Sequence, residues 1–181
     1  MRRVITAIFL FLTSSTLFAF DCASSYAPSW CSNISHTWND GSLDAYVPVW
    51  IWHNRAYYDS VKIAHYNELP WGVGIGKHYY DAEGDLHRLY MMAFLDSHSK
   101  VEPIGGYSFE KNFRPAEDWK FGIGYTAFIT ARADNDNYMP IPAVLPLWSV
   151  HYGRFSIEQT YVPGIGRNNG NVLFTWLRFE L

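Results

Sequence analysis

Short apolar and aromatic runs, separated by turn-forming residues, recur along most of the chain. Within several runs the apolar residues occupy alternate positions, the spacing of a β-strand that presents one apolar face. In the run 119–131, for example, Phe121 and Ile123 alternate with Gly122 and Gly124. The pattern predicts eight strands, which cover residues 45–52, 71–80, 86–95, 104–112, 119–131, 143–151, 155–162 and 171–181.

Small residues gather on the face opposite the apolar one, and this indicates which way the strands face. In a water-soluble sandwich the apolar face of each strand points into the core. Here the small-residue face is the one suited to an interior, so the apolar face lies outside. An even number of antiparallel strands can close, and closure leaves no unpaired edge in lipid. We therefore expect an all-β fold, an eight-stranded antiparallel transmembrane β-barrel.

The composition agrees with a membrane barrel. Aromatic residues make up 18% of the chain, with 8 Trp and 13 Tyr, although the mean hydropathy is only -0.13. No stretch approaches the roughly 18 consecutive apolar residues of a transmembrane helix. Lipid-facing residues of a barrel occupy only alternate positions, which gives this combination. The formal net charge of -3 gives no reason to expect a nucleic-acid partner.

The N-terminus has the layout of a secretory signal peptide. Arg2 and Arg3 precede an apolar run at 4–12, and small residues lead to Ala19, after which we expect cleavage. The apolar run is too short to span a bilayer. The predicted organisation is a signal peptide at 1–19, an N-terminal segment with a short helix at 20–44, and the barrel at 45–181.

The segment before the barrel predicts a short amphipathic helix. Trp30, Ile34 and Trp38 are spaced by four residues, which places them on one helical face. That face either lies at the membrane interface or packs against the barrel mouth. Cys22 and Cys31 either form a local disulfide in an oxidising envelope or remain two reduced thiols.

Loop lengths orient the barrel and bring three reactive side chains together. The connections 81–85 and 153–154 are short, whereas those after the first, fifth and seventh strands are longer and polar, as in outer-membrane barrels. His53 ends the first strand, and Asp96 and Ser97 follow the third. Strands of the same parity end on the same rim, so these side chains can meet at the outer end.

A histidine, a carboxylate and a hydroxyl are the groups that acyl transfer needs. His53 can act as general base, Asp96 can orient the imidazole, and Ser97 can attack or position the acyl carbonyl. By composition alone, His65 and His98 are equally available. No metal or soluble cofactor is expected.

Pro146 lies deep in the sixth predicted strand. Proline cannot donate to a strand ladder, so we expect a gap between neighbouring strands at this position. Such a gap would let an acyl chain enter the barrel sideways from the bilayer.

In matching order from about residue 46 to the end, the sequence resembles the lipid A palmitoyltransferase family, outer-membrane enzymes that move a palmitoyl chain from a phospholipid to lipid A. The motifs that carry the resemblance are His53-Asn54-Arg55, Tyr66-Asn67-Glu68-Leu69-Pro70-Trp71-Gly72, Met92-Ala93-Phe94-Leu95-Asp96-Ser97, Glu102-Pro103-Ile104-Gly105-Gly106-Tyr107, Gly124-Tyr125-Thr126-Ala127, Thr130-Ala131-Arg132, Pro142-Ala143-Val144-Leu145-Pro146-Leu147, Tyr161-Val162-Pro163-Gly164 and Asn168-Asn169-Gly170-Asn171-Val172.

The resemblance implies an internal acyl-chain pocket and an active site that faces the cell exterior. It places the family's catalytic histidine on His53 and its aspartate–serine pair on Asp96 and Ser97, which sets His65 and His98 aside. It also implies a function for Lys62 in lipid A recognition, and it places Ser108 at a pocket floor where the family tends to have glycine. Lateral access at Pro146 follows from the proline itself. The loop after Pro163 is one residue longer than is usual in the family, and Arg167 is the candidate there for gating.

The expected function is transfer of a palmitoyl chain, or one of similar length, from the sn-1 position of a glycerophospholipid to lipid A in the outer membrane, by a monomer. A side chain as large as Ser108 at the pocket floor favours a shorter chain. Two alternatives remain: a non-enzymatic barrel for adhesion or membrane integrity, and phospholipid hydrolysis by the same three residues.

Overall fold

The structure is a computed structural model that describes Cys22, Tyr26 and residues 28–135 and 137–181. The predicted signal peptide at 1–19 lies outside the described residues. The described elements are α1 (Pro28–Asp40), β1 (Ser42–His53), α2 (Ser60–Ile63), β2 (Gly72–Tyr80), β3 (Leu86–Leu95), β4 (Val101–Phe113), β5 (Trp119–Ala131), β6 (Pro140–Tyr152), β7 (Phe155–Val162) and β8 (Val172–Glu180).

The eight strands form a closed antiparallel barrel in which each strand pairs with its neighbours in the sequence and β8 returns to β1. The predicted fold is confirmed, and three strands begin earlier than predicted, β1 at Ser42, β4 at Val101 and β6 at Pro140. Pro103 and Pro142 each have a ladder partner on one neighbouring strand only. A missing N–H costs little in such a place, so these prolines lie within strands that the sequence pattern began too late.

The two ends of the barrel differ in their connections. At the end where β1 begins, the turn end, adjacent strands are joined by short connections such as 153–154. At the end where His53 closes β1, the loop end, the first connection covers residues 54–71 and the last covers 163–171. The predicted alternation of short and long connections is therefore observed.

Helix α1 packs on the outside of the barrel wall near the turn end rather than at the barrel mouth, and placement of its apolar face at the membrane interface stays a prediction. Lys77 on β2 donates to the carbonyl oxygen of Trp38 at 2.6 Å, and the Trp30 ring meets Tyr107 of β4 edge-on. Cys22 and Cys31 form a disulfide just before and within the helix. Neither α1 nor α2 has the length and apolar character that a helix needs to cross a membrane.

The outer surface of the strands is apolar, as the alternation predicts. Gly122 and Thr126 of β5 are buried inside, whereas Phe121 and Ile123 on the same strand are exposed. The large exposed apolar side chains of the other strands include Val73, Ile75, Met91, Val144 and Ile157. An apolar belt of this kind is what lipid solvates.

The interior near the turn end differs from the predicted lining of small residues, because it is filled with charge. Asp44, Arg88, Glu110, Glu158 and Arg178, here called the buried charge cluster, are each at most 1% exposed. Arg88 bridges Glu158 and Glu110, the latter at 2.8 Å, and Arg178 lies 3.3 Å from Glu158 and 3.7 Å from Asp44.

Further hydrogen bonds extend this cluster to neighbouring side chains. His78 binds Asp44 at 2.8 Å, and Ser149 donates to Glu110 at 2.7 Å. Gly122 stands beside the Glu110 carboxylate, where a Cβ would collide with it. Buried charges are stable only when paired and hydrogen-bonded, so the cluster plugs the turn end as one connected unit.

The strand ladder is incomplete at two places near the loop end. Strands β6 and β7 pair only from Leu147 to Tyr152, so residues 140–146 have no ladder partner on β7; we call this the β6–β7 seam. Strands β1 and β2 pair only from Ser42 to Tyr46, which leaves residues 47–53 without a ladder partner on β2, the β1–β2 seam.

The β6–β7 seam begins next to Pro146, where the sequence predicts a gap. The Pro146 carbonyl oxygen accepts a hydrogen bond from the Thr160 hydroxyl at 2.7 Å, next to Leu147–Thr160, the last pair of the ladder. The β1–β2 seam was not predicted from the sequence. Pro48, where the β1–β8 register shifts, is the signal that could have indicated it.

Candidate active site

A cavity of about 310 Å³ opens at the loop end and extends into the barrel. Near its mouth the lining is polar and includes His53, Asp96 and Ser97. Deeper in, the lining is largely apolar. The deeper side chains include Ile51, Met92, Phe94, Ile104, Phe128, Leu145 and Phe174. The cavity therefore offers an apolar channel below a polar, reactive mouth.

The floor of the cavity lies next to the buried charge cluster and is hydrogen-bonded to it. Tyr90 and Thr126 line the cavity and share a hydrogen bond at 2.5 Å. Trp176, also in the lining, donates its indole N–H to Glu158 of the cluster at 2.8 Å. Charged groups directly below an apolar channel set its depth, because an acyl chain gains nothing by entering them.

Ser108 lies at the level of this floor but outside the lining. It is 2% exposed, is the register partner of Thr126, and accepts a hydrogen bond from Arg88 Nε at 2.9 Å. Its predicted function as the pocket floor stays a prediction.

His53 and Ser97 meet at the mouth of the cavity, as the strand parity predicts. His53 Nε2 and Ser97 Oγ are 3.0 Å apart, within hydrogen-bond distance. His53 is only 2% exposed, and its imidazole contacts the rings of Tyr58 and Tyr66, whose centroids are 4.9 and 4.7 Å from its own. A hydroxyl that donates to a fixed imidazole is the arrangement that general-base catalysis uses.

Asp96 does not have the contact that the sequence analysis expected of it. Its Oδ1 accepts the backbone N–H groups of His98 and Lys100, each at 2.8 Å, and its own N–H donates to the Lys100 carbonyl. Asp96 thus holds the tight turn 96–100 that carries Ser97. This turn, rather than the orientation of His53, is what the Asp96 carboxylate organises.

Glu68 makes the contact with His53 that was predicted for Asp96. Its Oε1 lies 3.0 Å from His53 Nδ1, on the opposite side of the ring from Ser97. Sequence reasoning missed Glu68 because it lies in the long first connection, where residue spacing does not predict the position of a side chain. The motif Tyr66-Asn67-Glu68 that contributed to the resemblance was the available signal.

Glu68 is held as an ionised group. Two N–H groups of Arg55 bind its carboxylate at 2.6 and 2.7 Å, and these bonds, with those from His53, lower the pKa of Glu68 from 4.5 to about 2. The folded-state pKa lies below the unfolded value. The pair therefore contributes stability above about pH 4.5 and loses it as the pH falls toward 2.

The other predicted site residues lie away from the cavity lining. Lys62 is exposed on α2, in the first connection. Arg167 Nη2 lies 2.9 Å from Asp59 Oδ1, and Asn168 donates to the other oxygen of Asp59 at 2.8 Å. These contacts join the first and last connections across the loop end, and the functions predicted for Lys62 and Arg167 stay predictions.

The two alternative histidines are separated by the structure. His65 is exposed and its ring contacts the Val61 carbonyl, whereas His98 lines the cavity mouth. Across the described ranges 28–135 and 137–181, no three His, Cys, Asp or Glu side chains are placed so that they could hold a metal ion.

An enzyme that acts on lipids within a membrane needs a wall that lipid can solvate and a reactive group that the lipid can reach. The described chain has both, so its fold and site define a membrane β-barrel enzyme. The family model described as antimicrobial peptide resistance and lipid A acylation protein PagP matches residues 33–178, so the chain belongs to the PagP family. Both the barrel and this family fit the outer membrane.

Relatives named lipid A acyltransferase PagP are similar over most of the chain. That of Bordetella parapertussis is 48% identical over 174 residues, 96% of this chain and 95% of the relative. That of Laribacter hongkongensis is 53% identical over 153 residues, 84% and 73% of the two chains. That of Erwinia tasmaniensis is 54% identical over 155 residues, 84% and 81%. The predicted family, and the prediction of an enzyme, are confirmed.

Two substitutions at Asp96 test whether it shapes the turn or acts through its charge. Asp96→Asn keeps an acceptor oxygen for the two backbone N–H groups, whereas Asp96→Ala removes it. Because small displacements of a reacting group cost about 100-fold in rate, we expect Asp96→Ala to lower lipid A acylation by about that factor and Asp96→Asn by less than about tenfold. Equal losses, measured with purified folded barrels, would show that the charge is what matters.

Proposed function

We propose that this barrel transfers an acyl chain from the sn-1 position of a glycerophospholipid to a hydroxyl of lipid A. The observation that carries the proposal is the His53–Ser97 pair, 3.0 Å apart, at the mouth of an apolar cavity inside the barrel. The donor's acyl chain fits the apolar channel, which leaves its ester carbonyl at the polar mouth. The family and the names of the relatives support lipid A as the acceptor.

The chemistry needs one proton acceptor and one group at the carbonyl. His53 Nε2 takes a proton, from the acceptor hydroxyl or through Ser97, as the new bond to the acyl carbon forms. The bond between the acyl carbon and the glycerol oxygen breaks, and that oxygen receives the proton from His53. The products are acylated lipid A and a lysophospholipid, so atoms and charges balance without a cofactor. Ser97 either carries the acyl group transiently or positions its carbonyl.

A side entrance through the wall suits a donor that lies in the bilayer. The β6–β7 seam places a stretch without ladder bonds beside the cavity, where Leu145 is in the lining and Pro146 is on the outer side. An acyl chain that passes here never has to cross the polar mouth. We therefore propose the β6–β7 seam, with Pro146, as the lateral access for the donor.

The acceptor is proposed to approach from the loop end, which faces the cell exterior. Lys62 on α2 supplies an exposed cation there, and the phosphate groups of lipid A give a physical reason for one. Arg167, bound to Asp59, can gate the mouth by releasing the last connection from the first. One chain holds the whole site, so we propose that the active form is a monomer.

Ser108 is proposed to limit the length of the selected acyl chain. Ser108→Gly removes the side chain that sits beside Thr126 at the floor and frees Arg88 Nε from its acceptor. Because a site discriminates about 10-fold or more per methylene, we expect the variant to shift its donor preference by at least tenfold toward longer chains. Competition between donors of different chain length, read by mass spectrometry, measures this shift. An unchanged ratio removes Ser108 from the floor.

A donor labelled in one position tests the proposed reaction. The purified barrel is mixed in detergent micelles with lipid A and a phospholipid that carries different labelled chains at sn-1 and sn-2. We expect the sn-1 label on lipid A and an equal amount of lysophospholipid. The sn-2 label on lipid A, or labelled free fatty acid as the main product with lipid A unchanged, would overturn the proposed function, the second in favour of hydrolysis. No turnover at all by a folded barrel would favour a non-enzymatic function.

A further inference from the structure

We propose that Glu68 is the positioning residue of the catalytic histidine, and that Arg55 holds Glu68 in place. The inference rests on the proposed function, because it assigns Glu68 to the His53–Ser97 pair. The arrangement is a linear chain of contacts in which Arg55 binds Glu68, Glu68 binds His53, and His53 binds Ser97.

The geometry fixes which nitrogen of His53 carries the proton. Glu68 Oε1 is 3.0 Å from Nδ1, and an ionised carboxylate only accepts hydrogen bonds. Nδ1 must therefore hold a hydrogen and donate it to Glu68. In the neutral ring this leaves Nε2, 3.0 Å from Ser97 Oγ, with the lone pair that accepts a proton.

The β1–β2 seam explains why a loop residue can reach this position. Strand β1 has no β2 partner beyond Tyr46, so its backbone N–H groups toward the loop end are open to other acceptors. Glu68 takes two of them: its carbonyl accepts from Ile51 N at 3.0 Å and its Oε1 from His53 N at 3.1 Å. The same oxygen thus binds both the backbone and the ring of His53, which fixes the ring relative to its own strand.

Arg55 secures the carboxylate from the solvent side. Its Nη1 and Nη2 bind the two oxygens of Glu68 at 2.6 and 2.7 Å, and Nη1 also donates to the His53 carbonyl at 2.7 Å. A two-point arginine–carboxylate contact restricts the plane of the carboxylate as well as its position. Neither Arg55 nor Glu68 is part of the cavity lining, so the two act on substrate only through His53.

Other ionisable groups also surround His53. Those that face it or share its end of the cavity are Arg55, Tyr58, Tyr66, Glu68, Asp96, His98, Glu102, Arg132 and Asp134. Glu68 is the one carboxylate in the described residues that hydrogen-bonds the ring. A change in the pH profile on its removal therefore reports on this contact.

The test compares Glu68→Gln and Glu68→Asp with the parent barrel in the labelled-donor assay. Glu68→Gln loses the charge at nearly unchanged size, and we expect kcat to fall by about 100-fold with KM within about threefold. A histidine beside a neutral amide binds a proton less tightly than one beside a carboxylate, so the acid limb of kcat/KM should move to lower pH. Glu68→Asp keeps the charge and should recover at least about tenfold of the loss.

Glu117→Gln is the matched control, because Glu117 is an exposed carboxylate in the connection between β4 and β5 at the turn end. It should react at the parent rate. Folding of each variant is checked by its heat-dependent gel migration. A folded Glu68→Gln barrel with parental kcat and pH profile overturns the inference while leaving the proposed function intact. A parent barrel that fails to acylate lipid A is instead a failure of the proposed function itself.

Discussion

Replacement of His53 by alanine is expected to lower lipid A acylation by about 1,000-fold while the barrel still folds. His53 Nε2 is the nitrogen that faces Ser97, and its removal takes away the base that is positioned beside the Ser97 hydroxyl. The wall of the barrel is unaffected, because β1 keeps its ladder to β8 along its length. The rate is measured by transfer of labelled acyl chain to lipid A, with folding followed by circular dichroism.

His65→Ala is the matched control, since His65 is an exposed histidine of the same first connection, and its ring hydrogen-bonds only the Val61 carbonyl among the described residues. It should retain the parental rate. Free imidazole added to the His53→Ala barrel should restore part of the activity, because a small base can occupy the vacated space. Activity of His53→Ala within about threefold of the parent would remove His53 from the reaction.

Replacement of Arg88 by methionine is expected to cause the largest loss of stability, about 3–5 kcal/mol. Arg88 is 1% exposed and bridges Glu110 and Glu158 inside the barrel. Without it these two carboxylates stay buried with less positive charge to balance them. Equilibrium unfolding by denaturant in lipid vesicles measures the loss.

Arg154→Met separates this effect from the general loss of an arginine. Arg154 is exposed in the turn between β6 and β7, and its substitution should change the free energy of unfolding by no more than about 0.5 kcal/mol. If Arg88→Met also costs under about 1 kcal/mol, the buried charge cluster does not hold the turn end together. In that case the cavity floor formed by Tyr90 and Trp176 needs another support.

The sequence predicted the strands well because alternation is a local property. The alternation in a run such as 119–131 identifies its apolar face without knowledge of the neighbouring strands. The count of eight such runs then implied a closed barrel. The buried charge cluster could not be predicted in the same way. Arg88 and Glu158 come from β3 and β7. A charged residue that faces inward cannot be distinguished from any other polar residue in the sequence until the register of distant strands is known.

The site was predicted in part for a similar reason. Strand parity was enough to bring His53 and Ser97 to one rim. It could not separate two carboxylates, because Asp96 and Glu68 both come to the loop end and only the turn 96–100 and the β1–β2 seam decide which one reaches the imidazole. Loop residues are placed by contacts that spacing does not encode.

The mass of lipid A in living cells shows whether this barrel acylates lipid A and whether Ser97 takes part. A host with an outer membrane but no lipid A acyltransferase of this family is made to produce either the parent barrel or Ser97→Ala, and its lipid A is analysed by mass spectrometry. We expect lipid A that is heavier by one fatty acyl chain with the parent, and lipid A of unchanged mass with the folded Ser97→Ala barrel. Unchanged lipid A with a folded parent barrel would rule out the proposed transfer, and the same gain with Ser97→Ala would remove Ser97 from it.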